Sequence, residues 1–67
     1  MSDSDSIRAD IKKFSAKAMQ AKMDLHDLSE ELPLGVEQVM EIAGRVRDSY
    51  AALDAKRAEL KALESAS

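Results

Sequence analysis

From Ile7 to Leu32, the residues Ile7, Ile11, Phe14, Ala18, Ala21, Leu25, Leu28 and Leu32 recur at spacings alternating between four and three. That is an unbroken heptad stripe along one side of an α-helix, the seam of a coiled-coil-like rod. A second stripe runs through Val39, Ile42, Val46, Ser49, Leu53, Lys56, Leu60 and Leu63, flanked by Val36, Ala43 and Tyr50. Its wider apolar face suits a helix packed against more than one neighbour. Between the stripes, Leu32-Pro33-Leu34-Gly35 breaks the periodicity. Proline disfavours helical geometry in the residue before it, and glycine is tolerated where the next helix starts. The pattern predicts a helix over 6–31, a turn over 32–35 and a helix over 36–64, with flexible ends at 1–5 and 65–67. Ser4, Asp5 and Ser6 are all competent caps for the first helix.

A turn this short forces antiparallel neighbours. Folding about Pro33–Gly35 sets Ala18 against Tyr50, Ala21 against Val46, Leu25 against Ala43, Phe14 near Leu53 and Ile7 near Leu60. Small side chains then meet large ones, as layered packing requires. Two helices share only one seam, so a second hairpin is needed to cover the remaining apolar surface. The expected fold class is all-α, an antiparallel two-helix hairpin dimerising into a four-helix bundle. Gly44 costs about 1 kcal/mol relative to alanine in a helix interior. It is expected to mark either a close approach of another element or simple tolerance.

Composition sharpens this picture. With 67 residues, the chain forms one small domain at most, too small for ready stability without staples or assembly. There is no cysteine, which excludes disulfides, thiolate metal sites and cysteine nucleophiles. Neither a signal peptide nor a membrane-spanning run is visible, so a cytoplasmic location without membrane contact is expected.

Charge is segregated along the rod. Residues 23–44 hold six acids (Asp24, Asp27, Glu30, Glu31, Glu37 and Glu41) and no Lys or Arg. The rest of the chain carries all ten basic residues against seven acids. The hairpin therefore has an acidic turn end and a basic open end that includes Arg8, Lys12, Lys13, Arg57 and Lys61. Pairing two hairpins antiparallel sets each acidic end beside the other's basic end. Each exposed ion pair is worth only about 0.2–1 kcal/mol, but a network of them can decide orientation.

Met19, Met23, His26 and Glu30 form a second stripe on the first helix, displaced from the seam to the outer face. Methionines suit adaptable interfaces, which makes Met19, Met23 and His26 a candidate partner surface. His26 and Glu30, four apart, can reach one ion together. Imidazole plus carboxylate suits a divalent transition metal such as iron, nickel or zinc. The plainer alternative is a surface histidine in an acidic helix end, and one histidine per chain cannot fill a coordination sphere. Asp27, Glu30 and Glu31 also crowd a helix C-terminus, where the dipole disfavours negative charge. That favours a cation, a basic partner or the dimer's own basic end over a merely solvated tip.

The basic residues of the first helix point in several directions, and no aromatics interleave with them, so nucleic-acid binding is not expected. No catalytic constellation accompanies the lone histidine, and the chain reads as no enzyme.

The run Lys22-Met23-Asp24-Leu25-His26-Asp27-Leu28-Ser29-Glu30-Glu31-Leu32-Pro33 resembles the Rop-like helical-hairpin family of small metal-associated proteins encoded with nitrogen-fixation genes. The resemblance covers Ile7 to about Glu64. It implies two-helix protomers pairing into four-helix bundles and a metal role for His26. It further implies an accessory role in nitrogenase biogenesis or protection, with nitrogenase or a maturation factor as partner. Leu34 departs from the small polar residue expected after the proline. An RNA-binding module, by analogy with the plasmid regulator behind the Rop-like name, and a purely structural dimerisation rod are the competing readings.

Overall fold

The computed structural model describes residues 3–66. Helix α1 (Asp3–Glu31) and helix α2 (Val39–Ala66) lie side by side, joined by a turn over 32–35 and a 3₁₀ segment, Val36–Gln38. The rod measures 51 × 16 × 13 Å. Among the described residues there is no strand.

Helix α1 starts at Asp3 rather than at Ser6, so residues 3–5 of the expected lead-in are helical. Asp3 and Asp5 then lie in the first turn, where the helix dipole favours acids. At the other end, Ser65 and Ala66 belong to α2. The parts of the predicted flexible ends at 1–2 and 67 lie outside the described residues. The second helix opens as a tighter 3₁₀ turn, and its α-helical part begins three residues later than the pattern predicts, at Val39.

The turn accounts for its own backbone groups. The Leu32 N–H donates to the Leu28 carbonyl at 3.1 Å, and the Leu34 N–H to the Glu31 carbonyl at 3.0 Å. Val36 and Gln38 donate in turn to Pro33 and Gly35, at 3.3 and 2.9 Å. These bonds satisfy carbonyls that a helix end otherwise leaves open. Gly35 adopts a φ of +76°, and a Cβ there would lie 3.1 Å from Leu28 Cδ1. Both the left-handed backbone and the tight space call for glycine.

The buried core is Ala18, Ala21, Leu28, Ile42 and Leu53, all from the two predicted stripes. Leu32, the last member of the first stripe, is exposed instead, because α1 ends at Glu31 and the chain turns away through Pro33. Gly44 has nothing within 4 Å of where a Cβ would stand, so the hairpin itself makes no close approach there.

Ion pairs close one side of the seam. Arg45 Nη1 lies 3.5 Å from Asp24 Oδ2, and Lys56 Nζ lies 3.2 Å from Asp10 Oδ2. A third pair, Arg8 with Glu64 at 3.6 Å, joins the helices at the open end. All three fit the expected antiparallel register to within about one helical turn. On the other side of the seam, helical spacing gathers Ile7, Ile11 and Leu25 from α1 with Val39, Ala43 and Tyr50 from α2. All six are only half-buried.

Candidate functional site

The outer stripe of α1 forms on an uninterrupted stretch of helix, so residues three and four apart share a face. Met19 and Met23 are 53% and 46% exposed. His26 and Glu30 stand beyond them, their side chains also largely in solvent. The His26 imidazole Nε2 lies 2.7 Å from Glu30 Oε1, as the four-residue spacing allows. One turn of chain away, the Ser29 hydroxyl donates to the His26 carbonyl at 2.7 Å. The four predicted residues thus come together on one exposed strip.

The nearby carboxylates divide differently. Asp24 turns toward the seam, accepting from the Gln20 amide at 3.0 Å and pairing with Arg45. Its charge is therefore committed to holding the helices together rather than to an ion at His26. With Asp27, Glu31 and Gln38 it lines a shallow groove floored by Leu28 and Ile42. Among the described residues, no group of three or more His, Asp or Glu side chains is placed to hold a metal ion. Within one protomer, His26 and Glu30 are two donors, short of any coordination sphere.

Two apolar side chains, Leu34 and Met40, escaped the periodic reading, and Val36, expected to flank the second stripe, is 59% exposed because it lies in the 3₁₀ turn before α2. Leu34, Val36 and Met40 stand exposed at the turn end, beyond Leu32. Val36 and Met40 sit at the start of the second segment, where the wide apolar pattern hides which residues face out. Met40 falls between the stripe positions Val39 and Ile42, which was the available signal. Leu34 is an apolar residue inside a turn, and that alone marks it as unusual.

Lys56 is a titratable group set apart by its surroundings. It occupies a seam position, with its side chain about a quarter exposed. A hydrogen bond to Glu59, and a second to Asp10, raise its pKa above the ordinary lysine value. No helix is long and apolar enough to cross a membrane among the described residues.

The chain matches the Rop-like family over residues 2–65. A UPF0437 protein of Azorhizobium caulinodans is 45% identical over 65 residues, covering 97% of this chain and 94% of that protein. A similar protein of Nostoc sp. is 47% identical over 60 residues, 90% of this chain and 84% of the relative. A third, from Frankia alni, is named as a UPF0437 protein in the nifX-nifW intergenic region. It is 46% identical over 41 residues, 61% of this chain and 50% of its own length. No solved structure matches the chain. With a two-helix hairpin and a family match over nearly its full length, the chain belongs to the Rop-like family.

Proposed function

We propose that this chain is a non-enzymatic accessory protein of nitrogen fixation that acts through protein contacts, in nitrogenase biogenesis or protection. The observation carrying this reading is the exposed strip of Met19, Met23 and His26 on a helix whose seam is already filled. Adaptable apolar side chains in solvent suit a surface covered part of the time by a partner. The Frankia alni relative supports the setting, since its name places it between nitrogen-fixation genes.

The working form is an antiparallel homodimer, a four-helix bundle with its turns at opposite ends. Five buried residues among those described make a small core for independent stability, and the half-buried side of the seam offers the surface to enlarge it. Antiparallel pairing sets the acidic stretch 23–44 of one copy against the basic open end of the other. Arg57, on the apolar side near the open end, then lies toward the second copy's acids.

Divalent metal binding through His26 and Glu30 belongs to the same proposal, with iron, nickel or zinc as chemically suited ions. Two donors per chain require that other donors come from another copy or a partner.

Native mass spectrometry of the protein drawn from nitrogen-fixing cells tests the reading, with wild type and His26→Ala side by side. A dimer carrying a nitrogenase component or maturation factor is expected, with metal lost from the variant and helicity unchanged. Recovery of the dimer with no nitrogen-fixation protein would count against the contact role. Equal metal content in both proteins would remove His26 from the site.

A further inference from the structure

The turn end of the hairpin carries apolar surface that the seam does not use. Leu32, Leu34, Val36 and Met40 are 43%, 74%, 59% and 82% exposed. Glu30, Glu31, Glu37 and Glu41 surround them in sequence, and all four are exposed. No basic residue lies in the last turn of α1, so its partial negative dipole charge adds to these acids uncompensated. Exposed apolar side chains in a stretch whose charges are all acidic supply the two components of a recognition surface, apolar anchors and charge of one sign.

We propose that the turn end docks a positively charged amphipathic helix of another protein. The apolar face of that helix covers Leu34, Val36 and Met40, and its Lys or Arg side chains meet Glu37 and Glu41. The sign of the rim selects the partner, because no Lys or Arg occurs anywhere in 23–44 to welcome an acidic one. A second copy of the chain is the weaker occupant. In an antiparallel pairing, a second copy lies alongside α1 and α2. It covers helix flanks and leaves Leu34, which lies in the turn past both helices, in solvent. Four exposed side chains fall well short of the roughly 1,600 Å² of a standard stable interface. The contact is accordingly reversible. It is separate from the Met19, Met23 and His26 strip, and it stands whatever the role in nitrogen fixation.

The test uses the full chain and a fluorescent amphipathic Leu/Lys peptide, followed by anisotropy, with a Leu/Glu peptide of the same pattern as control. Wild type is expected to bind the basic peptide and not the acidic one, with affinity falling as salt is added. Leu34→Ser/Met40→Ser is expected to weaken binding by roughly tenfold or more, the usual effect of losing interface anchors. Sedimentation and circular dichroism of that variant should match wild type. Unchanged affinity would overturn the proposal, as would dissociation of the dimer, which would make the second copy the occupant. Should the double variant fold poorly, Glu37→Gln/Glu41→Gln removes charge alone and should weaken binding several-fold with a flatter salt dependence. Binding unchanged in that variant would equally overturn the proposal.

Discussion

The two sides of the hairpin seam are built from different chemistry. On one side, Asp10 with Lys56 and Asp24 with Arg45 tie α1 to α2. On the other, Ile7, Ile11, Leu25, Val39, Ala43 and Tyr50 are left half-covered. Exposed ion pairs contribute little to stability but are well suited to fix alignment. Apolar surface contributes in proportion to the area removed from water, and here much of that area is still wet. The ion-paired side joins the two helices within one chain, whereas the apolar side is left for the proposed second chain to cover. The difference locates the interface of the proposed dimer without reference to any relative.

The harshest way to break this contrast is Leu25→Asp on the apolar side. If that side is covered in a dimer, the variant loses a leucine's packing and buries a charge, a cost of about 3 kcal/mol or more. For a bundle this small, sedimentation should show dissociation and circular dichroism should show loss of helix. A variant that stayed dimeric and fully helical would place the interface elsewhere. A milder probe is Ala18→Leu. Ala18 is 1% exposed in the seam, and overpacking such a site costs about 1–3 kcal/mol. A lower thermal midpoint at constant protein concentration is expected, and an unchanged or raised midpoint would show slack in the seam around Ala18.

How much of this was legible in the sequence follows from which residues speak locally. The two stripes named every buried residue, since Ala18, Ala21, Leu28, Ile42 and Leu53 obey helical periodicity. The turn was legible because Pro33 and Gly35 impose backbone geometry on their own. Helix starts were less so: Ser4, Asp5 and Ser6 all cap well, and the chain begins its helix before them, at Asp3. Gly44 illustrates another limit. A costly residue suggested a neighbour, and the hairpin supplies none within 4 Å, so either a second chain or plain tolerance accounts for it. At the candidate site, the His26–Glu30 contact follows from four-residue spacing alone. The diversion of Asp24 to Arg45 does not, because it depends on which α2 residue the register brings opposite. The exposed Leu34 and Met40 were hidden for the same reason that makes them of interest, as they belong to neither stripe.

The smallest expected effect belongs to the ion-paired side, at Lys56. A lysine in a stripe otherwise made of apolar residues and Ser49 is held there by Asp10 across the seam and Glu59 one turn along its own helix, each at 3.2 Å. The hydrogen bond to Glu59 and then that to Asp10 raise its pKa above the ordinary 10.5. A raised lysine pKa means that the folded state holds the proton more tightly than the unfolded chain. The resulting stabilisation is fully present below pH 10.5 and is lost as pH climbs from there through the folded value. Denaturant unfolding of wild type and Lys56→Met, compared from about pH 8 to about pH 12, isolates this contribution because the other lysines and Tyr50 titrate in both. At neutral pH the variant is expected to match or exceed wild type, since methionine extends the apolar stripe. Above pH 10.5 wild type should lose ground to it. A difference between the two that stays flat across the whole range would show that the bridge to Asp10 aligns nothing. The ion-paired side would then be ordinary solvated surface, and the hairpin's register would rest on the seam alone.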